Sequence, residues 1–195
     1  MLLNHEANLP PPAILPGTTV QFPHVLVGGA TLLLRNNLMR AYPGAALSEE
    51  KVFNYRWSRA RRITENTFGI LAARWRILGR PLKCFPNKAI TIVKACVVLH
   101  NYLAYTDEGN TEPCCYITPS FVDVDTVGQL QEGEWRRVTA GSLEDLAPYQ
   151  LTRAGSTRAA RAVRTDLTTF FTSNIGMVAW QYDVVRRGLL NHVEH

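Results

Sequence analysis

The sequence predicts an α/β fold in which helix dominates. Three observations lead there. A short β-branched run closed by paired glycines, "HVLVGG" at residues 24–29, reads as a strand. A proline-free stretch from Ser48 to about Leu78 carries apolar residues at three- and four-residue steps. A second stretch, residues 88–104, is apolar nearly all round. At 195 residues and 46% hydrophobic content, the chain suits one ordinary domain with tails.

Taken in order, residues 9–23, "LPPPAILPGTTVQFP", hold five prolines and suit neither helix nor central strand. Residues 1–22 are therefore a proline-rich lead-in. "HVLVGG" has the pattern of a strand buried on both faces that ends in a tight turn. "TLLLRNNLMRAYPG" follows as a turn or short helix ending at Pro43 and Gly44.

The stretch from Ser48 opens with a plausible N-cap, and Glu49 and Glu50 suit the positive end of the helix dipole. Phe53, Trp57, Ala60, Thr64, Phe68 (or Thr67), Leu71, Trp75 and Leu78 share one face, which is expected to pack inward. Trp57, Trp75, Phe53 and Phe68 are accordingly read as core rather than base-stacking residues. The helix over 88–104 reads as buried, with His100 and Asn101 near its end as hydrogen-bonded core residues rather than ligands.

Residues 105–155 are acidic, turn-rich and without a sustained period, the pattern of a solvated loop or disordered segment. "STRAARAVRTDLTTFFTS" then predicts a C-terminal helix within residues 156–195. Ser156 or Thr157 is its cap, and Ala160, Val163, Leu167, Phe170 and Phe171 form its apolar side.

The net charge of +5 is unevenly spread. Residues 48–83 hold nine Lys and Arg against three Asp and Glu, whereas residues 105–150 hold two against nine. The basic block, with Arg56, Arg59, Arg61, Arg62, Arg74, Arg76 and Arg80, suits the backbone of DNA, read without sequence preference, or else a solvated helix face. Prolines interrupt the N-terminus before any signal-peptide core, and no run is expected to approach membrane-spanning length. The four cysteines, Cys84, Cys96, Cys114 and Cys115, show no CxxC spacing and fit a reducing compartment. The five histidines lack finger spacing for zinc.

Glu65 is the one acid in the arginine-rich "RWSRARRITENTFGIL", and a pairing with Arg61 one turn away is its simplest role. The longer string adds a second. "LVGG…LLLRNNLMRAYPG…LSEEKVFNYRWSRARRITENTFGILAARWRILGRPL…AITIVKACVVLHNYL" closely resembles the DDE transposase domain of the PIF/Harbinger superfamily, including the Harbinger transposase-derived nuclease family. The resemblance covers residues 20 to about 104, with a weaker echo in "RAAR…RTDLTTFF" and "AWQYDVVRRG".

That resemblance implies a partial RNase H-like domain over residues 23–104, mostly its helical C-terminal half. It also implies a nuclease chemistry in which two Asp and one Glu hold two Mg²⁺ or Mn²⁺ ions about 3.5–4 Å apart. Glu65 matches the family's third acid, catalytic and metal-binding. Gly29 stands where the second Asp belongs, followed by Ala30, Thr31 and Leu32 in place of the family's residues. The first Asp would lie on an earlier strand that the proline-rich segment does not supply, and Glu6 lacks a strand context.

The expectation is therefore a truncated, catalytically impaired family member that binds DNA or protein. An endonuclease active through ligands from elsewhere, and a helical interaction module without DNA affinity, are the alternatives. The resemblance further implies the nucleus, with the cytoplasm as a second compartment, and a Myb-like DNA-binding partner. No membrane partner is expected.

Overall fold

The computed structural model describes residues 8–29, 32–107, 115–140 and 156–188. Among these residues it mixes helices with three two-stranded sheets, and the chain divides into two compact units, residues 1–61 with 147–195, and residues 62–146. The longest helix, α1 (Ser48–Arg74), contributes residues to both.

In the first unit, β1 (Ala13–Ile14) pairs antiparallel with β2 (Gln21–Phe22) inside the proline-rich lead-in. β3 (Leu26–Val27) pairs parallel with β4 (Leu38–Met39). The "HVLVGG" strand thus exists, but Leu26 and Val27 are exposed rather than buried on both faces, because their sheet has only two strands. The segment read as a turn or short helix instead folds over Asn36 and Asn37 into β4. Asn-rich turns supply the local hydrogen bonding that makes such reversals favourable.

Phe22, Leu34, Met39, Phe53, Trp57, Ala160 and Leu167 form the core of this unit. α4 (Arg158–Thr172) joins it as expected: Thr157 caps the helix by accepting the Ala160 N–H at 3.1 Å, while Ala160 and Leu167 are buried. The side chain of Asn54 accepts the Tyr42 N–H at 2.7 Å and donates to the Tyr42 carbonyl at 3.0 Å. After α5 begins (Gln181–Arg186), the fully buried Gln181 donates to the Phe171 carbonyl at 2.9 Å.

In the second unit a 3-10 turn, Arg76–Gly79, follows α1, and α2 (Pro86–Thr106) starts with proline at its first position, where a missing N–H is harmless. Residues 119–139, read from sequence as part of a solvated acidic loop, hold a 3-10 turn (Pro119–Phe121), a hairpin of β5 (Val124–Thr126) and β6 (Gln129–Gln131), and α3 (Trp135–Thr139). The elements are too short to leave a sustained period. Val127 and Gly128 form the two-residue hairpin loop, both at positive φ (53° and 77°), a conformation that a β-branched residue rarely adopts.

The inward face of α1 also differs from the single stripe. Phe53, Trp57 and Leu71 are buried, but Ala60 and Thr64 are exposed and Phe68 is 61% exposed. Each half of the helix buries its own side, Val52–Tyr55 with Trp57 in one unit, and Asn66 with Ile70–Ala73 in the other.

α2 is the larger correction. Only Cys96 and His100 are buried, and Asn101 is exposed. His100 does behave as a bonded core residue, with Nδ1 2.9 Å from the Tyr116 hydroxyl, and burial lowers its pKa. At 21 residues α2 is also long and apolar enough, by length and composition alone, to cross a membrane, contrary to the expectation that no run approaches that length. Glu6, Ala30, Thr31 and Cys114 lie outside the described residues.

Gly69 shows how tightly the second core closes. An added Cβ would meet the Trp135 ring at 2.2 Å, in the cluster of Ile70, Ala73, Phe121 and Trp135. In an ordinary helix interior Gly→Ala stabilises by about 1 kcal/mol. Here overpacking of about 1–3 kcal/mol opposes that gain, so Gly69→Ala is expected to lower the urea midpoint of the full chain. A raised midpoint would show that the indole does not sit on Gly69.

Candidate functional site

Glu65 lies on the part of α1 that belongs to the second unit, between Arg62 and Asn66. Asn66 is buried, an unusual place for a side chain with two donors and an acceptor, and every contact explains it. Its oxygen accepts the Asp123 N–H at 3.0 Å and the Trp135 indole N–H at 2.8 Å, and its nitrogen donates to the Asp123 carbonyl at 3.1 Å. This side-chain amide locks the strand-like run before β5 against α1.

Two carboxylates come with that run. The Asp123 side chain is fully buried. It accepts the Gly133 N–H at 2.7 Å and a forked pair from Arg136, Nε at 3.1 Å and Nη2 at 2.5 Å. Asp125 accepts from Arg62 at 3.0 Å, both side chains largely buried, and from the Gly128 N–H at 2.9 Å. Planar guanidinium against carboxylate is the strong, geometrically specific form of ion pair.

Glu65 stands at the edge of this network, half-exposed, with the Arg136 guanidinium 3.8 Å from its carboxylate. Arg136 also stacks over the Trp135 ring at 4.5 Å. Burial pulls the Arg136 pKa down, but the bonds and charge of Asp123, helped by Glu132 and Glu65, more than offset it and leave the pKa above the ordinary value. Arg136 is a permanent cation beside the predicted metal ligand.

The residues present do not fit a pair of divalent ions. Among the described residues no group of three or more His, Cys, Asp or Glu is arranged to hold a metal. A guanidinium already serves as counter-charge to the nearby acids, and its repulsion opposes a second cation at the same carboxylate. Gly29, half-buried after β3, offers no ligand and belongs to the first unit.

The seven arginines fall into distinct roles. Arg56 donates to the Gly176 carbonyl at 2.9 Å and lies over the Phe171 ring at 4.6 Å, and burial, with Arg59 nearby, lowers its pKa. Arg56 and Arg62 therefore hold the fold together. Arg59 lies over Trp180 at 5.5 Å, and Arg61 over Trp57 at 5.2 Å. Arg74, Arg76 and Arg80 are exposed. Arg76 and Arg80 line one small cleft of about 60 Å³ with Ala72, Gly79, Val138 and Thr139.

Asp123, Asp125 and Arg136 were not singled out from sequence. The alternating "VDVD" at 122–125 carried a signal, since alternation is the mark of a strand with one polar side. Asn66 was hidden for a different reason: asparagine on an apolar helix face looks like a gap in the stripe.

Residues 20–101 match a protein-family model described as DDE superfamily endonuclease. The matched segment runs from just before β2 to near the end of α2 and supports a DDE transposase-like relationship. Enzymes of that superfamily generally use divalent metals. No curated protein and no solved structure matches the chain.

Replacing Asn66 by Ala would strip partners from a buried N–H, a buried carbonyl and an indole N–H, each worth about 1–3 kcal/mol when left unmade. Asn66→Ala is expected to destabilise the full chain by about 3 kcal/mol in urea titration. Emission from Trp135 should shift red at sub-denaturing urea. A loss within about 0.5 kcal/mol, the range of an ordinary surface change, would show that the amide is not the lock.

Proposed function

We propose that this chain is a transposase-like, DDE-type nuclease domain that binds nucleic acid without cutting it. We assign it to the PIF/Harbinger branch, with a partial RNase H-like organisation over residues 23–104. The observation that carries the reading is the Arg136 guanidinium 3.8 Å from Glu65. Phosphodiester cleavage by two metal ions needs carboxylates open to hard cations. Here the acids around Glu65 are matched with arginines, and Gly29 offers no ligand.

Binding is supported by the charge that remains outside those pairs. Arg74, Arg76 and Arg80 are exposed, and Arg76 and Arg80 line the same small cleft, where guanidinium groups suit the charge and hydrogen-bonding of phosphate. Contacts of this kind follow the backbone and carry no base code, so the reading is sequence-tolerant DNA binding. The family resemblance supports a nuclear setting and a Myb-like DNA-binding partner.

The test is fluorescence anisotropy of a labelled duplex with the full chain at stepped salt, in EDTA and again in Mg²⁺ or Mn²⁺, beside a supercoiled-plasmid nicking assay. Affinity should fall steeply with salt and be the same with and without metal. Arg76→Ala with Arg80→Ala should reduce the slope of log K against log salt by about 2. Metal-dependent nicking that disappears in Glu65→Ala would overturn the reading in favour of an active endonuclease. No binding even at low salt would overturn it in favour of a protein-interaction module.

A further inference from the structure

Helix α4 buries Ala160, Leu167 and Thr168, and its neighbours hold it beside the chain that follows β4. The Thr168 hydroxyl lies 3.1 Å from that of Tyr42, and Arg164 donates to the Ala41 carbonyl at 3.2 Å and stands 3.7 Å from the Tyr42 ring centroid. Arg164 is thereby committed to the fold. Arg158 and Arg161 are not. Both are exposed, and among the described residues neither side chain makes a hydrogen bond or an ion pair.

At about 100° per residue, Arg158, Arg161, Ala162, Thr165 and Thr169 share one side of the helix, and all five are exposed. The acid of α4, Asp166, falls about 140° round from Arg161. The open side is therefore basic, with short side chains between and beyond its two cations. The first turn holds both arginines and no acid, an arrangement that the helix dipole opposes, so the stability of the helix does not account for them.

We propose that this open side of α4 is a second contact surface for the phosphate backbone of duplex DNA, in the first unit and additional to the Arg76 and Arg80 cleft. It rests on the nucleic-acid reading above, and α4 lies beyond residues 20–101, the segment that the family model matches. Charge complementarity selects the occupant: two unpaired guanidinia suit phosphate oxygens, and Ala162, Thr165 and Thr169 let a backbone approach the helix closely. A protein partner would want a large apolar or aromatic anchor, and the open side has none. A membrane would want the apolar side of the helix, which the core already takes through Ala160 and Leu167. Such contacts position the duplex and carry no base code.

The test is anisotropy of a labelled duplex at stepped salt with four full-length chains: wild type, Arg158→Ala with Arg161→Ala, the same positions changed to Lys, and Arg186→Ala with Arg187→Ala. The first alanine pair should reduce the slope of log K against log salt by about 2, and the lysine pair should keep it. The Arg186 and Arg187 pair, which removes equal charge elsewhere, should leave the slope unchanged. The urea midpoint of Arg158→Ala with Arg161→Ala should be unchanged or raised, since the dipole conflict is relieved. Wild-type binding with an unaltered slope in that chain would overturn this inference alone, while no wild-type binding would overturn the nucleic-acid reading with it. An equal slope loss in the Arg186 and Arg187 pair would overturn it in favour of net charge, and a urea midpoint that falls with the slope in favour of a structural role. Unaltered duplex binding with lost binding to phosphatidylserine vesicles would overturn it in favour of a lipid surface.

Discussion

Two buried asparagines on one helix organise what this chain can do. Asn54 and Asn66 each present a side-chain amide that donates to the carbonyl and accepts from the N–H of a single distant residue, Tyr42 in one unit and Asp123 in the other. An amide side chain reproduces the donor and acceptor of a strand edge without carrying charge, so it pins an extended segment to a helix at little desolvation cost. Losing it leaves buried backbone groups unmade, the expensive outcome for any core. Both asparagines, with Arg56, Arg62 and Gly69, belong to the motif that marks the family resemblance. Much of that motif is explained here by contacts that hold the fold.

The arginine block shows the same economy. A basic helix invites a reading as solvated or nucleic-acid-facing, yet Arg56 and Arg62 spend their hydrogen bonds inside the protein. The acidic segment supplies Asp123 and Asp125 as internal counter-ions, which accounts for part of the charge asymmetry along the chain. Glu65 then sits in a field set by arginine. Buried pairs of this sort contribute specificity of arrangement more securely than net stability, since desolvation offsets much of their attraction. The arrangement fixed here is the run of chain that carries Trp135 onto Gly69.

The sequence made some of this legible and concealed the rest for physical reasons. The start of α1, the Thr157 cap and the apolar side of α4 were readable because helical period and capping chemistry are local, although Ser48, expected as the cap of α1, is its first helical residue. The β3 run was readable too, but its exposure was not, because exposure depends on how many strands its sheet holds. The burial of α2 was expected from its composition, and the structure buries only Cys96 and His100; an apolar helix records what it is able to bury, not what lies against it. The acidic hairpin was missed since its strands are three residues each and its order comes from Asn66 and Arg62, contacts distant in sequence. Glu65 was singled out by resemblance, while its neighbour Arg136 came to light only in the fold.

Val127 at the tip of that hairpin has a consequence for the protein's mutational landscape. A β-branched, largely exposed side chain in the left-handed region is held there by its neighbours, against its own preference by about 1–2 kcal/mol. Asparagine or glycine would occupy the same backbone with less strain and would forfeit little packing. The chain therefore lies below its attainable stability at one identifiable residue. That reserve is large enough to absorb a typical destabilising substitution elsewhere in the second unit, so sequences that drift from this one have a ready compensating step at the hairpin tip.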